Sequence, residues 1–120
     1  ITWLYAARQT RLQAAVAWYG HVNAKRGPLT PMQPVDLMRD LHAPTLGLYG
    51  GADTGITAEH LQQMRDALQS GSEAAQDSLI HVYPDTPHAF HADYRPTYRK
   101  EAAQDGWARM LDWLRQHGVA

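Results

Sequence analysis

The chain contains three short apolar segments, and each of them runs into glycine or proline. Their sequences are AAVAWY (14–19), PTLGLYGG (44–51) and SLIHVYP (78–84). Apolar residues are nearly continuous in these segments, whereas a strand with one face in water alternates apolar and polar residues. We therefore predict three buried strands of a parallel sheet that is covered on both faces.

Two amphipathic segments fit helices that cover such a sheet. Residues 57–69, TAEHLQQMRDALQ, repeat apolar side chains at helical spacing between the second and third strands. Residues 95–118 predict a second helix, with Pro96 in its opening turn and Gly118 at its end. The side chains assigned to the core from this helix are Ala103, Trp107, Met110, Leu111, Trp113 and Leu114.

The remaining residues predict shorter elements. The first residues, ITWLYAARQTR, have apolar side chains at helical spacing but no N-cap, as expected if the sequence starts inside a helix. Residues 21–34 contain three prolines and predict a surface connection, and residues 35–41 predict one or two helical turns. Strands therefore alternate with helices, which predicts an α/β fold in a single domain, residues 1–120.

Composition excludes several classes of function. The formal net charge is -1 and the isoelectric point is near 6.7, so we expect neither nucleic acid nor an anionic membrane as a partner. There is no cysteine, which excludes disulfides and a cysteine nucleophile within these 120 residues. The sequence has no long apolar run or signal-peptide layout, and we expect a cytoplasmic protein.

Asp53 and His88 are the candidates for catalytic chemistry. Asp53 follows the second predicted strand in LYGGADTGI, and His88 follows the third in VYPDTPHAF. Loops at the carboxyl ends of adjacent parallel strands lie side by side, so the two side chains are expected to meet. A carboxylate beside an imidazole fixes its tautomer and stabilises the imidazolium, which predicts that Asp53 orients His88 as a base.

The nucleophile that such a pair would serve is missing from the sequence. The three serines, Ser70, Ser72 and Ser78, all precede the third predicted strand, at the opposite end of the sheet. None of them lies in a G-x-S-x-G elbow. We therefore expect the chain alone to be inactive.

The order of these motifs resembles the C-terminal half of the dienelactone hydrolase family, or carboxymethylenebutenolidases, within the α/β-hydrolase fold. The resemblance rests on AAVAWYG, on PTLGLYGGADTGI and on VYPDTPHAFHADYRPTYRKEAAQDGWARMLDWL. It implies about three parallel strands with flanking helices, an ester or lactone substrate and no cofactor or metal. By this resemblance Asp53 and His88 are the acid and histidine of a triad whose cysteine or serine precedes Ile1.

Substrate-binding residues are less well defined. Phe90 and Tyr94 are assigned to the acyl pocket because they lie close to His88 in the sequence. The family uses arginines to bind a carboxylate substrate, but the residue four after His88 is Ala92, and Arg95 is the nearest basic candidate.

Other functions remain open at this point. A non-catalytic interaction module is the main alternative, in which strand 14–19 is an exposed edge that pairs with a second copy or another partner. A receiver-like domain with Asp53 as an acceptor carboxylate fits less well, since the first strand lacks an acidic cluster. A metal site at His81, His88 and His91 is also disfavoured, because no carboxylate motif accompanies them.

Overall fold

A computed structural model describes residues 1–119 of the chain. The strands are β1 (Ala15–Trp18), β2 (Thr45–Gly50) and β3 (Leu79–Tyr83). The helices are α1 (Thr2–Arg8), α2 (Ala58–Gln69), α3 (Glu73–Gln76) and α4 (Lys100–Gln116). Two short 3-10 helices, Pro34–Asp36 and Met38–Asp40, occupy the region where helical turns were predicted.

The three strands form one parallel sheet in the order β1-β2-β3. Leu48 of β2 pairs with Trp18 of β1 on one side and with His81 of β3 on the other. Every residue of β2 is buried, which explains its unbroken apolar sequence. The predicted α/β fold, with three parallel strands and flanking helices, is confirmed.

Helices cover both faces of the sheet and create two hydrophobic clusters. Tyr49 belongs to the cluster formed with α1 and α2, in which Trp3 and Met64 are fully buried. Leu46 and Leu48, whose side chains point to the other face, pack with Trp113 of α4. The sheet is therefore the middle layer of a helix–sheet–helix sandwich.

Helix α4 differs from the prediction in its start and in its buried face. It begins at Lys100, and Pro96 lies in the preceding loop. Trp107 was assigned to the core, but it is 49% exposed. The stripe that faces the sheet consists of Ala102, Ala103, Gly106 and Trp113. The helix buries this face, and not the predicted one, for a steric reason. A Cβ at position 106 would lie 2.8 Å from the Trp18 ring, so α4 packs on that ring through its one glycine, Gly106.

The loops that follow β2 and β3 lie against each other. The amide of Gly51 donates to the Tyr83 carbonyl at 2.8 Å, and the amide of Ala52 donates to the Thr86 carbonyl at 3.0 Å. Gly50 permits this approach, because a Cβ there would lie 2.2 Å from the Thr86 carbonyl oxygen. The carboxyl ends of the two strands are thereby joined into one rigid edge.

Across residues 1–119, no helix has both the length and the apolar character that a membrane crossing requires.

We predict that Gly50→Ala lowers the free energy of unfolding by about 1–3 kcal/mol, because the new methyl group overlaps backbone that has no room to move. Urea unfolding followed by circular dichroism measures the change. Gly20→Ala is the matched control, since a Cβ at Gly20 meets nothing within 4 Å. Equal stability of the two variants would contradict the close approach of the loops.

Candidate functional site

Asp53 is held in place by the turn that follows β2. Its Oδ1 accepts hydrogen bonds from the backbone amides of Gly55, at 2.8 Å, and Ile56, at 3.0 Å. An aspartate that binds amides two and three residues ahead stabilises a tight turn. Only 3% of the side chain is exposed, so this carboxylate is a buried, oriented group.

His88 lies directly beside this carboxylate. Its Nδ1 is 2.6 Å from Oδ2 of Asp53, and 44% of the His88 side chain is exposed. A carboxylate can only accept a hydrogen bond, so the proton on this contact belongs to Nδ1. The second ring nitrogen, Nε2, is left without a proton in the neutral ring and is free to accept one.

This arrangement combines the parts of a general base. Asp53 already uses Oδ1 on two amides and offers Oδ2 to the ring, so its position does not depend on His88. When Nε2 takes a proton, the neighbouring carboxylate stabilises the resulting imidazolium. The structure thus brings together the two residues that the sequence proposed as a pair, at the carboxyl ends of adjacent strands.

The turn that carries His88 has an unusual backbone. Asp85 and Ala89 have φ angles of 55° and 60°, in the left-handed region that residues with a Cβ rarely adopt. The loop is closed behind them by the Arg99 amide, which donates to the Phe90 carbonyl at 2.9 Å. The positive φ angles could not be predicted from the two prolines near Asp85, because they depend on contacts made by the whole loop.

Two residues of the site were missed by the sequence reasoning. The ring of Tyr19 stands edge-on to the His88 ring, with 5.1 Å between centroids and 62° between planes. The ring of His21 stacks near the same imidazole, at 6.4 Å and 28°. Both follow the end of β1, where the only signal was an aromatic residue directly before Gly20.

The three predicted substrate-binding residues differ in their surroundings. Phe90 is fully buried and packs on the rings of Trp18 and Tyr83, so it has no surface for a substrate and its assignment to the acyl pocket is withdrawn. Tyr94 is 79% exposed, and the guanidinium carbon of Arg95 lies 5.7 Å from the centre of its ring. These two residues stay candidates on an open surface.

Tyr19 is a half-buried residue of this site. Burial raises its pKa above the ordinary tyrosine value, while the backbone amide of His91 acts in the opposite direction. The charges of Tyr94 and Arg95 also act on this hydroxyl. The hydroxyl of Tyr19 is therefore protonated at neutral pH.

His91 has aromatic neighbours. Its ring is 4.5 Å from Trp18 and is stacked on Trp107 at 5.7 Å and 15°. Within residues 1–119, no group of three or more His, Asp or Glu side chains could hold a metal ion.

The serines lie at the other end of the sheet. Ser78 Oγ accepts a hydrogen bond from the Thr45 amide at 2.9 Å, at the start of β2. Ser72 caps α3 by accepting from the Ala75 amide at 3.1 Å. Both hydroxyls stabilise secondary structure near the amino-terminal ends of the strands, and Asp53 lies at the opposite, carboxyl end.

We predict that Asp53→Asn reverses the tautomer of the neutral His88 ring. The two amides of the turn keep the asparagine oxygen where Oδ1 is now, which aims its amide N–H at Nδ1 and moves the ring proton to Nε2. Long-range ¹⁵N–¹H NMR at pH 8 distinguishes the two tautomers. Asp93→Asn, on the exposed part of the same loop, is the control and leaves the tautomer unchanged. The same tautomer in all three proteins would contradict the proposed bond.

Comparison with known proteins gives the site its context. The family model for the dienelactone hydrolase family matches residues 1–118. The chain is 57% identical over 120 residues to a "Putative carboxymethylenebutenolidase" of Yersinia pestis and 52% identical over 118 residues to one of Escherichia coli K12. The alignments cover 100% and 98% of the chain but 44% and 42% of those relatives, so the chain spans less than half of their length.

A solved structure agrees with these matches. The crystal structure of a "Putative Dienelactone Hydrolase" from Klebsiella pneumoniae superposes with a TM-score of 0.89 at 49% identity, over 96% of this chain and 47% of that one. Fold and sequence thus agree over the whole length compared. The chain belongs to the dienelactone hydrolase family.

Proposed function

We propose that this chain supplies the acid and the base of an ester or lactone hydrolase. His88 is the general base, Asp53 orients it, and the nucleophile is a cysteine or serine that the 120 residues do not contain. The observation that carries the proposal is the 2.6 Å contact between His88 Nδ1 and a buried, amide-bound carboxylate.

The proposed reaction follows from that contact. The thiol or hydroxyl of the nucleophile passes its proton to Nε2 of His88 while its sulfur or oxygen bonds to the substrate carbonyl carbon. The carbon–oxygen bond to the leaving group then breaks, and the leaving oxygen takes the proton from Nε2. Water repeats the sequence on the acyl intermediate, with His88 again as the base, and releases the acid.

The distribution of exposure supports these roles. Asp53 is almost completely buried, as expected of a group that orients another, while His88 is nearly half exposed, as expected of a group that meets a reagent. Tyr94 and Arg95 follow His88 in the same loop and are exposed, and we propose these two as contacts for an acyl group or a substrate carboxylate. The named relatives agree with ester or lactone chemistry.

A chimera tests the proposal directly. This sequence replaces the matching region of the Klebsiella relative, so that every triad partner from that region comes from this chain. We expect turnover of p-nitrophenyl acetate by the chimera and none above background by the 120-residue chain. His88→Ala in the chimera lowers kcat/KM at least about a thousandfold, because the nucleophile then lacks its base.

His42→Ala is the matched control in the chimera. This histidine is exposed and lies before β2, away from the proposed site, so the variant keeps full activity. Two results would overturn the proposal: an active His88→Ala chimera, or turnover by the isolated chain that disappears in its own His88→Ala variant.

A second candidate function rests on the position of β1. Among the described residues β1 pairs with β2 alone, so its other side carries backbone groups without a strand partner. Such an edge is a template for pairing with another chain. We propose as the alternative that residues 14–19 mediate association with a second copy, without catalysis.

We expect Val16→Pro to reduce this association. Ala15 and Tyr19 direct their amides toward β2, with distances of 3.1 Å to Pro44 O and 2.7 Å to Leu48 O, so by alternation the Val16 amide points to the free side. Proline removes that donor and leaves the pairing with β2 intact. Light scattering over a concentration series measures the mass. Val16→Thr is the control, and a wild-type chain that stays monomeric at every concentration would refute the alternative.

A further inference from the structure

The ring of His88 needs more than one contact to keep a defined orientation. The bond to Asp53 holds Nδ1, but a ring held at one corner can still rotate about that contact. The side chain is 44% exposed, and the residue that follows it, Ala89, is in the left-handed region, so the loop itself provides no regular scaffold. A second contact is required to keep Nε2 pointing in one direction.

Tyr19 provides that second contact. Its ring meets the His88 ring at 62°, an edge-on geometry that aromatic pairs favour. The Tyr19 ring also packs on Phe90, at 5.3 Å and 70°, and Phe90 is completely buried. The His88 imidazole thus contacts both the Asp53 carboxylate and an aromatic ring that packs on the core.

The backbone of Tyr19 is strained to make this contact. Its φ angle is 38°, a value that is rare for a bulky aromatic residue and natural for glycine or asparagine. Strained backbone persists where the surrounding structure holds it, and it is concentrated at functional sites. The strained backbone therefore indicates that the Tyr19 side chain has a role in the site.

Hydrogen bonds on either side hold Tyr19 in that conformation. Its amide donates to the Leu48 carbonyl of β2 at 2.7 Å. The following carbonyl, that of Gly20, accepts from the Tyr49 hydroxyl at 2.6 Å, and the same hydroxyl accepts from the Trp3 indole at 2.9 Å. Trp3 and Tyr49 are buried, so the turn after β1 is tied to the core of the sheet.

We infer that Tyr19 is a positioning residue for His88: its ring, bound to the core, limits rotation of the imidazole and keeps Nε2 directed at the reaction partner. This inference rests on the proposed role of His88 as the base. The two residues meet through their rings, so the ring of Tyr19 and not its hydroxyl carries the effect.

The exchange of the His88 Nδ1 proton with water tests the inference in the 120-residue chain. In Tyr19→Gly, which suits the backbone angle and removes the ring, exchange becomes about two- to tenfold faster, the range expected from loss of one edge-on aromatic contact. Tyr19→Phe retains the wild-type rate because it keeps the ring. Tyr19→Asn, which also tolerates this φ angle, serves as a second ring-free variant if Tyr19→Gly does not fold.

Two comparisons separate the inference from other causes. Ile80→Val, a small core deletion on β3, lowers global stability without touching His88 and leaves the exchange rate unchanged. Asp53→Asn removes the Nδ1 proton itself, and its failure to do so would overturn the Asp53–His88 pair and with it the proposed function. Normal behaviour of Asp53→Asn together with unchanged exchange in Tyr19→Gly and Tyr19→Asn would overturn the positioning role alone.

Discussion

The site depends on the backbone contact between the loops that leave β2 and β3. Parallel pairing brings the strand ends to one edge, but pairing alone leaves the loops free to diverge. The amides of Gly51 and Ala52 donate across to the second loop, and Gly50 has no side chain to keep the loops apart. Since Asp53 and His88 lie within a few residues of these contacts, their distance is set by the main chain.

Backbone hydrogen bonds also explain how the carboxylate of Asp53 can be buried. A carboxylate removed from water is costly unless hydrogen bonds replace its hydration. Two amides and the imidazole provide those bonds, and the amides come from the turn that Asp53 itself initiates. The orientation of the carboxylate therefore does not depend on His88, and the imidazole is the exposed member of the pair.

Much of the fold was predictable because burial leaves a strong mark on a sequence. β2 is buried on both faces, and its unbroken apolar run indicated a central parallel strand. Helix α4 was harder, since several of its positions are apolar and the choice of face depends on what the helix packs against. Gly106 fits the Trp18 ring, and Trp107 is consequently turned toward His91 and the solvent.

The site was predictable only in part. Asp53 and His88 could be paired because each follows a strand, and the order of strands in the sequence is also their order in the sheet. Tyr19 could not be found in this way, because its contact with His88 requires a left-handed backbone angle that no tyrosine pattern encodes. The burial of Phe90 likewise depends on the Trp18 ring of β1, which is distant in sequence, together with the nearby Tyr83 ring of β3.

By itself, the sequence determined the class of fold, the adjacency of the strands and the two side chains, Asp53 and His88, that meet at their carboxyl ends, since these follow from local apolar patterns and from chain order. Tertiary structure decided the distance between Asp53 and His88, the face of α4 that is buried and the contact of the Tyr19 ring with the His88 imidazole. These features arise from contacts between residues far apart in the chain, and steric fit between such residues leaves no periodic pattern along the sequence.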